Sequence, residues 1–552
     1  MRDIRRPPSR GALACWLGLA ARVCLVMGSG AGLSACGLNQ EGVPPPRDRI
    51  VYPSSARLDA LGRWLYVANS NSDLRYNNGT LVAVDVVAAA NDYDPQHGKW
   101  KVCPRADYVR SYDVGLADTD VDKDGIGRCC WDYLDRTVLD CDERKYVHGD
   151  STIEIGSFAA GMEFQATEKS CFTDPATTRH QCSHLCSADA DGGAAAGAAD
   201  VDAGSSADAG VAGEGVTEGR LFIGVRGNSS LTYVDTQPDS TGAAPRLSCN
   251  TQKSTSTKDS KDCSVANRVV DVTTTLTVPD EPYALHLDED ADLLYVGHLR
   301  GDIAHPDTGG VSLFDVARPD PDLKGSPPRF LHSSRGFFPA DQNGFFGVTS
   351  LTPGPGHQLY ATSRYVPMAV GLNAASQDDD GPLCSRDATK IFVSASAVTF
   401  TSPLVGGGEL RGLQFVSPTQ AFALQRVPPA LVAFDVTGGI LGNVPTGIVE
   451  TCAAPTFLQA YGGGTDSRLF VTCFEAGQVY VVDPSIPGVV AVIDVGRGPA
   501  GLVFSAAGTK SPARAYVVGF GHNNVSIVDL ERGSPTQYHV IQKLGFPSVL
   551  PR

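Results

Sequence analysis

A chain of 552 residues with 60 Gly, 36 Pro, 4 Met and few charged residues lacks the composition of a helical protein. Long helices want Ala, Leu, Glu and Lys in periodic blocks, and none follows the first residues. The formal net charge of −16 argues against nucleic acid as a partner, because an acidic surface repels phosphate backbones.

The first predicted element is not part of the fold. "MRDIRRPPSR" is a basic start, and "GALACWLGLAARVCLVMG" is an apolar stretch interrupted by Arg22. "LSAC" then runs from Leu33 to Cys36. This is the layout of a secretory signal over residues 1–35. "LSAC" resembles a bacterial lipobox, in which the Cys is lipidated and becomes the mature N-terminus. The alternative is an ordinary signal peptide with a chance Cys. The lipobox reading makes Cys36 the lipidation site, 36–49 a tether and the membrane a partner. Gly37 offers no retention-type Asp, which by analogy with bacterial lipoproteins favours the outer membrane. Cleavage removes five Arg and one Asp and takes the formal charge to −20. Of the 15 Cys, Cys15 and Cys24 leave and Cys36 takes lipid. The remaining 12 are an even number in an exported chain, so disulfides are expected. No other stretch is long and apolar enough to span a bilayer.

A strand pattern then repeats. "LYVANS" from Leu65 recurs as "LFIGVR" from Leu221, "LYVGHL" from Leu294, "LYATSR" from Leu359, "AFALQR" from Ala421, "LFVTCF" from Leu469 and "AYVVGF" from Ala515. A second apolar strand follows each copy, as in "LVAVDV" and "VSIVDL". Six of the seven end in Asp: Asp85, Asp235, Asp315, Asp435, Asp483 and Asp529. These carboxylates are expected to accept backbone hydrogen bonds from two residues on, as turn Asp residues do. A short strand and a Gly/Asp-rich turn precede many copies, and an outer strand such as "KIFVSASAVTF" completes a four-stranded unit. The last three Asp residues are 48 and 46 residues apart, which is propeller-blade spacing.

"LYVAN" followed by a strand ending "VxVD" resembles the YVTN-repeat family of seven-bladed β-propellers. The resemblance covers roughly Ile50 to the C-terminus. It implies an all-β fold of seven four-stranded antiparallel blades over 50–552, and it says little about activity. The tail "YHVIQKLGF" reads as the outer strand of blade seven, unless Ile50–Val51 shares that blade.

Insertions are expected at about 89–145 and 166–218, the first disulfide-rich. Asp118, Asp120, Asp122 and Asp124 with Gly125 resemble the start of a calcium loop. Trp131 stands where an EF-hand needs a bidentate Glu, so the choices are a looser calcium site or a solvated acidic turn. "HQCSHLC", from His180 to Cys186, matches no standard zinc spacing. Residues 187–215 are Ala, Gly and Asp with little to bury, and are expected to be disordered.

No haem, zinc-protease, serine-elbow or phosphate-loop motif is present. The sixth residues of the aligned strands are Ser70, Arg226, Leu299, Arg364, Arg426, Phe474 and Phe520. Three Arg in one register, at loops sharing a face with Arg411 and Arg497, suggest an anion site at one mouth of the ring. His298 and His522 lie in or near the same loops. The competing reading pairs each Arg with an acidic neighbour on the next blade. Function is thus expected to be that of an envelope binding or scaffold protein taking a protein or small anionic ligand. The alternatives are a lactonase-like enzyme, with His298, His522 or Glu475 as base, or a propeller subunit of a redox complex. One disulfide is predicted, Cys452–Cys473, across the hairpin that contains "GGGTD".

Overall fold

The computed structural model describes residues 43–95, 100–103, 129–167, 172–173, 180–181, 216–239, 241, 243–249, 261–266, 268–269, 281–300, 310–317, 327–335, 347–355, 358–364, 367–377, 385–400, 408–505 and 512–545. Cys36, the Asp118–Asp124 run, Cys182–Cys186 and 187–215 lie outside them.

The chain forms a seven-bladed β-propeller of antiparallel blades, each built on four strands. Blade 1 contains Pro53–Leu58, Trp64–Asn69, Gly79–Asp85 and Val147–Ile155, in that order from the inside. Blade 2 contains Ala159–Ala166, Gly219–Val225, Ser230–Pro238 and Pro245–Ser248, with Arg268–Val269 also pairing on its third strand. Blade 3 runs Pro282–Asp288, Leu293–His298, Gly310–Asp315, Arg329–Arg335. Blade 4 runs Val348–Pro353, Leu359–Ser363, Met368–Ser376, Ile391–Thr399. Blade 5 runs Gly408–Ser417, Gln420–Val427, Ala430–Asp435, Val444–Glu450. Blade 6 runs Pro455–Tyr461, Arg468–Cys473, Gln478–Asp483, Gly488–Asp494. Blade 7 runs Pro499–Phe504, Arg514–Gly519, Asn524–Asp529, Val540–Leu544.

The packing explains the sequence pattern. A blade is covered on both faces by its neighbours, so its middle strands are buried on both sides and read as unbroken apolar runs rather than alternating ones. Trp64–Asn69 and Gly79–Asp85 are buried at every residue. The outermost strands meet water, and Val444–Glu450 is mostly exposed. The buried apolar side chains separate into seven clusters, one at each joint between neighbouring blades. The cluster that joins Leu65, Val67 and Val82 of blade 1 to Tyr516, Val518 and Ile527 of blade 7 closes the ring. Ile50 is buried in that cluster, ahead of the first strand.

The tail strand Val540–Leu544 is the fourth strand of blade 7, and the sheet continues beyond it. Leu139–Cys141, from the segment inserted between strands three and four of blade 1, pairs with it in parallel. Cys129–Trp131 pairs with Leu139–Cys141 in turn. Disulfides Cys129–Cys141 and Cys103–Cys130 tie this extension together. An insertion from the first blade therefore borders the last, a role not visible in its sequence.

Four of the repeat Asp residues close turns. Asp315, Asp435, Asp483 and Asp529 accept from the backbone N–H two residues on, at 3.1, 2.8, 2.9 and 3.0 Å. Asp85 instead accepts from Ala88 N and caps the helix Val86–Asp92.

Candidate functional site

The face of the ring that carries the loops between strands two and three is built by one backbone device used in every blade. The residue entering each inner strand has positive φ: Tyr52, Phe158, Glu281, Gly347, Glu409, Ala454 and Gly498, between +48° and +70°. In six blades its carbonyl accepts the N–H of the residue that opens the loop after strand two. These pairs are Ser70 to Tyr52, Arg226 to Phe158, Leu299 to Glu281, Arg364 to Gly347, Phe474 to Ala454 and Phe520 to Gly498, at 2.6–3.1 Å. The register read from the sequence is thus a physical collar. Left-handed backbone is disfavoured for residues with a Cβ, and most of all for bulky ones. The ring holds Tyr52 and Phe158 there by this repeated bond.

The Arg residues of the collar differ in their surroundings. Arg226 Nη2 donates to Glu281 Oε2 at 2.8 Å, a pair that spans the joint to blade 3. Arg411 is the fourth residue of the inner strand of blade 5, is 7% exposed, and donates from Nη2 to Glu409 at 2.8 Å. Its buried Nε has no hydrogen-bond partner. Arg426 lies 3.9 Å from the same Glu409 and 3.9 Å from Glu475 of blade 6. Burial lowers the proton affinity of Arg411, the bond to Glu409 opposes this, and the fields of Arg426 and Arg364 lower it further. Tyr283, from blade 3, also lies within electrostatic range of Arg411. The guanidinium groups of blades 4 and 5 are therefore close enough to feel each other, with Glu409 shared between two of them.

His298 is wholly buried in blade 3, with Nε2 2.9 Å from Ser312 Oγ. It packs within its blade rather than at the surface of the mouth. His522 accepts the backbone N–H of the exposed Arg497 on Nδ1, at 3.3 Å. Burial, Lys543 and Arg497 together hold its pKa below the usual histidine value. Glu475 is largely exposed. Among the described residues no group of three or more His, Cys, Asp or Glu is placed to hold a metal.

The other half of the collar is aromatic, a feature that the Arg register did not point to. Tyr52 and Phe520 have ring centroids 5.5 Å apart, and Phe520 and Phe474 are 6.0 Å apart. Phe474 lies over Gly498, with Cε2 3.4 Å from the place where a Cβ would stand.

The predicted disulfide is present. Cys452 and Cys473 are bonded, with Cα atoms 5.8 Å apart. Their approach differs from simple opposition, because the register sets Cys473 against Pro455. A bulge between Pro455 and Phe457 and the left-handed Ala454 bring Cys452 back to it.

No family model matches the chain, and no curated protein does. Among solved structures the chain is similar to hydrazine synthase of Kuenenia stuttgartiensis, at 10% identity and a TM-score of 0.40, over 89% of this chain and 98% of that one. It is similar to a Lactobacillus plantarum protein, at 12% identity and a TM-score of 0.39, over 59% and 82%. The Swd1 β-propeller domain of Myceliophteria thermophila matches at 12% identity and a TM-score of 0.31, over 50% and 74%. Likeness this distant carries no chemistry. The blades themselves define the fold.

Proposed function

We propose that this chain is a lipid-anchored binding protein of the bacterial envelope that holds an anion at the mouth of its propeller. The observation that carries the reading is Arg411: buried, with an unpartnered Nε, and sharing Glu409 with Arg426. An anion entering this group gains charge-assisted hydrogen bonds from guanidinium groups that are mostly or partly buried. The envelope location rests on the signal-like start and "LSAC" at Leu33–Cys36, with lipid on Cys36. Four disulfides among the described residues suit an oxidising compartment. Binding is favoured over catalysis because His298 is buried against Ser312 rather than open at the mouth.

The test is calorimetric titration of the purified chain with inorganic phosphate and with acetate. Binding of at least one is expected. Arg364→Ala and Arg426→Ala should each weaken it about tenfold, the scale of one charge-assisted bond, with Tm nearly unchanged. No binding of either anion, or Arg variants that bind like the parent chain, would refute the site.

A further inference from the structure

The mouth has two unlike halves, and together they describe a ligand more specific than an anion. Around blades 6, 7, 1 and 2 the collar carries Phe474, Phe520, Tyr52 and Phe158, none of them fully buried, and the arginine of this register in blade 2, Arg226, is paired with Glu281. Three form a continuous arc, with centroid steps of 6.0 and 5.5 Å. Around blades 4 and 5 the same collar carries Arg364 and Arg426, with Arg411 just inside. The halves meet at the joint of blades 5 and 6, where Arg426 lies 3.9 Å from Glu475, the residue after Phe474.

Two of these aromatics occupy positions that L residues disfavour. Tyr52 has φ +48° and Phe158 φ +59°, at the site where blades 4 and 7 use Gly. Gly would relieve the strain at both. The same backbone conformation is used at this position in every blade, so it belongs to the collar itself, and what sets Tyr52 and Phe158 apart is the aromatic side chain each carries there. These partly exposed aromatic rings offer apolar area to a ring, edge-to-face or offset.

We propose that the mouth binds an aryl anion: a small molecule with a flat aromatic body on Phe474 and Phe520 and a carboxylate or phosphate at Arg364, Arg411 and Arg426. The inference rests on the anion reading above and adds the body of the ligand to it. The blade arrangement fixes the ligand's orientation, with the charge toward blades 4 and 5 and the ring toward blades 6 and 7.

The probes are 1-naphthoate, cyclohexanecarboxylate and acetate, titrated into the full chain by calorimetry. The variants are Phe474→Leu and Phe520→Leu, which keep apolar bulk and remove the flat face, with Arg426→Ala beside them. 1-Naphthoate is expected to bind about tenfold more tightly than cyclohexanecarboxylate, and acetate more weakly than either. The Leu variants should lose most of the naphthoate advantage and leave acetate unchanged. Arg426→Ala should weaken all three acids. Equal binding of naphthoate and cyclohexanecarboxylate, or Leu variants with unchanged naphthoate affinity, would overturn the aromatic half while acetate still reports the anion site. Failure of all three acids to bind the folded parent chain would overturn both readings. A circular dichroism melt of each Leu variant shows whether the fold is retained. If Phe474→Leu does not fold, Phe520→Leu alone decides.

Discussion

Arg220 and Asp235 form a close ion pair at the base of blade 2, with Nε donating to Oδ1 at 2.6 Å and both side chains mostly buried. Asp235 is one of the repeat Asp residues, and Arg220 immediately precedes the repeat strand. The arrangement recurs as Arg63–Asp85 and Arg468–Asp483 at 3.3 Å, and as Arg514–Asp529. In blade 3 the partner of Asp315 comes from strand four, as Arg329. The other four pairs join the start of strand two to the end of strand three, on the face opposite the collar. Removing one partner of a buried pair leaves the other charge unmatched. Arg220→Ala is expected to cost about 2–4 kcal/mol, read as a lowered Tm. Arg364→Ala, on the collar, should leave Tm nearly unchanged. Equal losses from both variants would mean that the two faces do not divide stability from binding.

The collar and the base differ in how far they can be read from sequence. Middle strands are legible because both their faces are buried, so "LYVAN" and "LVAVD" stand out as unbroken apolar runs. The Arg before the strand was equally visible in "RWLYV", "RLFIG", "RLFVT" and "RAYVV". Its meaning was hidden because its partner lies about fifteen or more residues on. The Arg register of the collar was legible, but Glu281 and Glu409 were not, since loop residues acquire partners only when blades stack. Tyr52 and Phe158 carry no sign of positive φ. The strands Leu139–Cys141 and Cys129–Trp131 have three residues each, too few for any periodicity.

Those two short strands make a second prediction. Cys129 and Cys141 sit opposite each other in the extension of blade 7, and Gly545 N donates to Cys141 O at 3.0 Å. A disulfide that closes a loop of this size stabilises by roughly 3 kcal/mol in the chain-entropy model. Replacing both Cys with Ser should lower Tm and speed amide exchange across Val540–Leu544, while exchange in blade 4 stays as it was. Unchanged protection in the tail strand would show that the extension does not secure the last blade.

Stability should depend on pH through Glu143. This side chain is 6% exposed in the turn that precedes the outer strand of blade 1. Burial, and then the field of Asp142, pushes its pKa up to about 7. Between its unfolded value of 4.5 and about 7 the native state holds a proton that the unfolded chain has lost. Stability contributed by Glu143 is therefore full at acid pH, falls as pH rises through this window and is gone above it. The loss is of order 3 kcal/mol at most. Glu143→Gln should flatten the Tm profile between pH 5 and about 7.5. A Gln variant with the parent slope would assign the dependence elsewhere.

Glu409 supplies the sharpest test of what the arginines are for. It is held at φ +51° and receives Arg411 at 2.8 Å and Arg426 at 3.9 Å. If the group is only a structural ion cluster, neutralising Glu409 leaves guanidinium groups facing one another and the single consequence is lost stability. If the group is an anion site, Glu409 occupies donors that the ligand needs and repels its charge. Glu409→Gln keeps the size and the backbone preference and removes that competition. The variant is expected to bind acetate or phosphate about three- to tenfold more tightly, the scale of one partly exposed charge interaction. Its Tm without ligand should fall by a few degrees, because buried Arg411 loses its charged acceptor, and added anion should restore it. Affinity that falls together with Tm would identify the arginines as structural, since a ligand site cannot be weakened by removing its own competitor.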